Sequence, residues 1–84
     1  MARRRPVERR EDEWLRLAGE RVTLPTGPLW LDYQVDADLL IIKLKENARS
    51  THSDDDMDAG IIYDYEGDEL VAIEVLDLYG LFAN

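Results

Sequence analysis

Asp54, Asp56 and Asp58 stand two residues apart, the spacing at which alternate side-chain oxygens of a calcium loop converge on a hard cation. The rest of such a loop is missing. Its sixth position, a turn glycine, is Ala59, its twelfth, a bidentate glutamate, is Tyr65, and a strand-forming run follows where a helix is required. Asp54–Asp58 therefore reads as a solvated acidic loop, and no metal or cofactor is expected. His52 is the one histidine and there is no cysteine, so neither a Cys/His nucleophile pair nor a thiolate zinc set can be assembled. Carboxylates remain. Asp32, Asp36, Asp38, Asp64 and Glu74 fall on or beside strands, where two of them brought together could serve as acid and base. Their spacing singles out no pair: Asp36 and Asp38 suit a turn, and Asp64 and Glu74 suit the exposed positions of alternating strands. No glycine loop suited to phosphate is present, and no enzyme is expected.

The basic residues are the other chemical feature. Arg3, Arg4, Arg5, Arg9 and Arg10 could neutralise nucleic-acid phosphates, but Glu8, Glu11, Asp12 and Glu13 interleave with them or follow directly, and no aromatic residue among them could stack a base. Over the whole chain of 84 residues the net charge is −9. Residues 1–21 hold seven arginines against five acids (+2), whereas residues 22–84 hold three bases against fourteen acids (−11). A body that acidic repels phosphates and attracts a basic partner through a field that salt weakens.

These features need elements to position them. The length allows one small core, with no disulfide to reinforce it, so a partner or a second copy is an expected source of stability. The arginine-rich start has no apolar segment behind it, no run approaches membrane-spanning length, and a soluble cytoplasmic protein is expected. Pro6 suits a first helical position and Gly19 a left-handed cap, which predicts a helix over 7–18 with Trp14, Leu15, Leu17 and Ala18 as its apolar cluster. Val22–Pro28, with two prolines and a glycine, is a connector. Alternating apolar residues then predict strands at 29–34 and 39–45, a polar loop over 46–59, and a hairpin of strands at 60–66 and 70–77 around Glu66-Gly67-Asp68-Glu69. The expected architecture is α+β and mainly β, a four-stranded antiparallel meander with one N-terminal helix. It divides into a basic arm and helix (1–21) and an acidic sheet domain with an apolar tail (22–84).

Tyr33, Ala37-Asp38, Leu40 and Ile42-Lys43-Leu44, followed by Gly60, Asp64-Tyr65 and Val71-Ala72-Ile73-Glu74-Val75-Leu76-Asp77, carry a likeness to a known family. The order and content of these two motifs resemble the domain of unknown function 2283 over about residues 29–77. Gln34 stands where that family usually has aspartate, Ala72 where glycine is common, the hairpin turn is about one residue shorter, and an apolar tail follows Asp77. The resemblance implies a small prokaryotic β-sheet domain without established catalysis, in some contexts encoded beside small basic toxin-like proteins, with an antitoxin role.

The expected function is a non-catalytic protein-interaction module, an antitoxin-like partner of a small basic protein. Strand four places Leu70, Ala72 and Leu76 beside Glu74, so the second sheet face is partly apolar and predicts an interface. Its contacts are expected from Trp14, Trp30, Leu39, Ile41, Leu76, Tyr79 and Phe82. The alternatives are a homodimer closed by the same surfaces and, less favoured, a DNA-binding regulator using Arg3, Arg4, Arg5, Arg9 and Arg10.

Overall fold

The computed structural model describes residues 6–80, with side chains from Arg10 onward. Helix α1 spans Pro6–Gly19, and strands β1 (Trp30–Gln34), β2 (Leu39–Lys43), β3 (His52–Asp56), β4 (Ile61–Glu66) and β5 (Glu69–Val75) follow. The helix starts at the predicted proline and ends at Gly19, although Gly19 is not left-handed. The chain leaves instead through a turn in which the Arg21 and Val22 amides both donate to the Ala18 carbonyl at 3.0 Å. No helix among the described residues is long and apolar enough to cross a membrane.

Two expectations about the sheet are corrected. It has five strands, because His52–Asp56, placed in the polar loop, pairs antiparallel with β4. Its order is β1-β2-β5-β4-β3, so β2 lies against β5 and the four expected strands do not form a meander. β3 carries no strand-favouring apolar residue and is exposed throughout. It extends because the open edge of β4 offers a row of backbone partners, and because His52 stacks on Tyr65 at 5.2 Å with nearly parallel rings. After the excursion through β3 and β4, β5 pairs with the edge left open by β2, where Ile73 and Val75 join Leu40 and Ile42 in one buried cluster.

Strand alternation sorts the side chains into two faces. Leu40 and Ile42 of β2, Ile73 and Val75 of β5 and Ile61 of β4 are buried with Ala18 of α1 and Leu78. Trp14 and Leu17 of the helix pack against this cluster, so α1 covers one face of the sheet, and among the described residues no second helix or sheet covers the other, the open face. Leu70 joins this core and does not share the Glu74 face. The reason is a register shift in the β4–β5 ladder: Asp64 faces Ala72 but Tyr65 faces Leu70, which makes Val71 an extra residue and reverses alternation beyond it.

Candidate functional site

The open face is where titratable and apolar groups converge. Register places Asp32, Ile41, Glu74, Ile62 and Asp55 in one row across all five strands, and Trp30, Lys43, Ala72, Asp64 and Ser53 in the next. Trp30 is exposed, Leu39, Ile41 and Ile62 are half-buried, and Leu76 continues the Glu74 side opposite Gly60, whose carbonyl accepts from the Leu76 amide at 2.8 Å. Thus Trp30, Leu39, Ile41 and Leu76, four of the predicted contact residues, border one surface.

At its centre are two carboxyl groups. Glu74 pairs in register with Ile62 and Asp64 with Ala72, so the two acids are diagonal neighbours on the same face. Asp64, expected to be exposed, is 7% accessible, and its Oδ1 accepts the Ser53 hydroxyl at 2.5 Å. A hydrogen bond with Asp64, then burial, then the charges of Asp64 and Asp55 raise the Glu74 pKa to about 7. Two carboxyls this close share a proton more readily than they carry two charges, and the pair can donate to or accept from a polar ligand near neutral pH. Asp55, on the edge strand β3 and in the same row as Glu74, adds a third acid. Among the described residues no group of three or more His, Asp or Glu side chains is arranged to hold a metal ion. In the Asp54–Asp58 segment, strand alternation sends Asp54 and Asp56 to one face and Asp55 to the other.

The remaining predicted residues lie elsewhere. Trp14 stacks near Tyr33 (5.2 Å between ring centres) and Tyr33 meets Tyr79 edge-on at 5.5 Å, so Trp14 and Tyr79 form an aromatic cluster on the helix-covered side. The Tyr79 hydroxyl donates to Glu13 at 2.9 Å, and burial ahead of that bond raises its pKa. The Trp14 indole N–H is buried without an acceptor in good geometry, yet lies near enough to the Tyr79 hydroxyl to offset part of that rise. Arg10 is exposed on α1 and, with Asp12, Glu13 and Arg16, lines a concave patch of mixed sign. Arg3, Arg4, Arg5 and Phe82 lie outside the described residues, as does the side chain of Arg9.

Beneath the cluster, Asp38 is fully buried. Its carboxylate accepts the Tyr33 hydroxyl at 2.5 Å and the Tyr79 amide at 3.1 Å, and its carbonyl accepts the Leu78 amide at 3.0 Å. Burial, then the bond to Asp38, pushes the Tyr33 phenol up. Asp38 is a turn residue, as its position predicts, with a left-handed φ of 51°. It also ties the β1–β2 connection to the segment after β5. Ile62, Ser53 and Asp55 were not singled out by their sequence positions, since only the cross-strand register brings them beside Asp64 and Glu74.

Residues 30–78, all five strands and the segment held by Asp38, match the family described as protein of unknown function (DUF2283), the family that the two motifs resemble. Neither the curated proteins nor the solved structures contain a match.

Proposed function

The chain belongs to the DUF2283 family, and from that premise we propose that it is a non-catalytic interaction module of the cytoplasm whose open sheet face binds a small basic protein in the manner of an antitoxin. One observation carries the reading: the face that α1 leaves uncovered combines an acidic centre (Asp55, Asp64, Glu74) with apolar flanks (Trp30, Leu39, Ile41, Ile62). Apolar flanks supply area to bury, and the acidic centre supplies orientation and selects cationic side chains. The −11 charge of residues 22–84 adds long-range attraction to such a partner.

The same centre disfavours a homodimer closed through this face. Stacking two copies would set one acidic row against another, with the desolvation cost of each carboxylate added to their repulsion. Catalysis is also disfavoured, because the carboxyl pair lies on an open sheet surface, and the concave patch of α1 is on the covered side. Nucleic-acid binding through Arg10 and Arg16 is opposed by their acidic neighbours; Arg16 lies 4.0 Å from Glu13 and 3.8 Å from Glu20.

The test uses an isotope-labelled chain titrated with a decapeptide of alternating arginine and leucine while backbone amide shifts are followed. Perturbations should centre on Ile41, Ile62 and Glu74, and Ile41→Asp should abolish them without unfolding the chain. Shifts confined to α1 would overturn the assignment of the surface. For the antitoxin form, co-expression with the neighbouring reading frame should give co-purification and rescue of growth; failure of both removes it.

A further inference from the structure

The acidic centre is built differently from a simple solvated cluster. Asp64 is nine-tenths buried and held by the Ser53 hydroxyl, and Glu74 lies diagonally across the β4–β5 ladder from it on the same face of the sheet. The groups that face Glu74 are Asp64 on β4, Asp55 on β3, Lys43 on β2 and Asp32 on β1, three strands of acids and a single cation. Helix α1 contributes none, since it covers the opposite face. His52 precedes Ser53 and so projects to the covered side, where it stacks on Tyr65.

We propose that the Asp64–Glu74 pair gives the open face two charge states one proton apart, and that a basic partner selects the deprotonated state. This rests on the reading of the face as a binding surface for cationic protein, and adds to it a control by pH. The Glu74 value of about 7 places the exchange between the two states close to neutrality. A guanidinium or ammonium arriving at the pair stabilises both negative charges and expels the shared proton, so binding releases a proton and tightens as pH rises. The effect is local to one pair of neighbouring carboxyl groups and needs no movement of the fold.

The experiment has two parts, both on the full chain. Carboxyl carbon shifts of Glu74 are followed against pH in the unmodified protein and in Asp64→Asn, which keeps an acceptor for Ser53 but removes the neighbouring charge. The affinity of the arginine–leucine decapeptide is then measured at pH 5.5 and pH 8 at fixed ionic strength for the unmodified chain, Glu74→Gln and His52→Asn. Glu74 should titrate near neutrality, and clearly lower in Asp64→Asn, though still above the ordinary glutamate range because burial and the Asp55 charge remain. The peptide should bind about two- to fivefold more tightly at pH 8, the size expected of one partly exposed charge pair. Glu74→Gln should lose that difference and His52→Asn should keep most of it. Ordinary titration of Glu74, or an unchanged pH dependence in Glu74→Gln, overturns the proton control and leaves the binding surface standing. Absence of binding at both pH values overturns the surface reading and this proposal together.

Discussion

Asp64 and Glu74 share a face of the sheet only because β5 carries Val71 as an extra residue. The hairpin turn pairs Glu66 with Glu69, and the same register carried forward would set Glu74 opposite Ile61, on the far side of the sheet from Asp64. The bulge moves Glu74 one step, to Ile62, and the two acids meet. The same step brings Ile73 and Val75 to the core side with Ile61, so burial of apolar surface drives the shift and the carboxyl pair is its by-product.

The pair sets a pH dependence of stability. The folded chain holds the Glu74 proton to about 7, whereas the unfolded chain releases it near the ordinary 4.5. Over that window the native state binds more protons than the unfolded state, so this group's contribution is fully present below 4.5 and is lost as pH rises through 7. Glu74→Gln removes the slope. Subtracting its melting temperatures from those of the unmodified chain between pH 4.5 and pH 8 should give a difference that falls steadily; a flat difference would contradict the shared proton.

Removing the buried acceptor of Asp38 should be among the most damaging single changes. Asp38→Ala leaves the Tyr79 amide and the Tyr33 hydroxyl without their acceptor and places alanine in a left-handed backbone. The expected loss is about 3 kcal/mol, from unsatisfied buried donors and backbone strain together. Asp38→Asn, which keeps an acceptor and tolerates that backbone, should lose less, and Tyr33→Phe about 1.5 kcal/mol. Urea unfolding of the three variants orders them.

Arg21 acts as a clamp. Its guanidinium donates to the Ala59 carbonyl at 3.2 Å and the Asp77 carbonyl at 3.0 Å, joining the end of α1 to the turns before β4 and after β5. A methyl group on Gly60 would lie 3.0 Å from Arg21 Nη1, at a φ of +69°. Gly60→Ala should therefore cost about 2 kcal/mol, and Arg21→Met about 1–2 kcal/mol. Because the substitutions share one contact, the double variant should cost less than their sum in a denaturation cycle.

The acidic strand β3 protects an edge. Asp54, Asp55 and Asp56 on an exposed outer strand repel a second copy that would otherwise pair with it. Replacing Asp54 and Asp56 by threonine raises strand preference and removes the repulsion. Light scattering should then show association that grows with concentration and is absent from the parent chain; a monomeric variant would assign the aspartates another role.

Much of the fold was legible. Pro6 and Gly19 bracketed the helix, the β-branched and aromatic runs located β1, β2, β4 and β5, and the ordered motifs from Tyr33 to Asp77 placed the family. Four of the predicted contact residues, Trp30, Leu39, Ile41 and Leu76, border the open face because period-two alternation sorts a strand locally. These features depend on residues close together in the chain, and composition and spacing encode them directly.

Tertiary structure decided the rest. β3 has no apolar pattern of its own and exists through the edge of β4. Neither the β2–β5 neighbourhood nor the Val71 bulge leaves a local signature, because both answer to the demand that Ile42, Ile61, Ile73 and Val75 meet under α1. The site inherits that dependence. Asp64 and Glu74 stood among five carboxylates whose spacing singled out no two, and one extra residue in β5, selected by packing on the opposite face, made them neighbours.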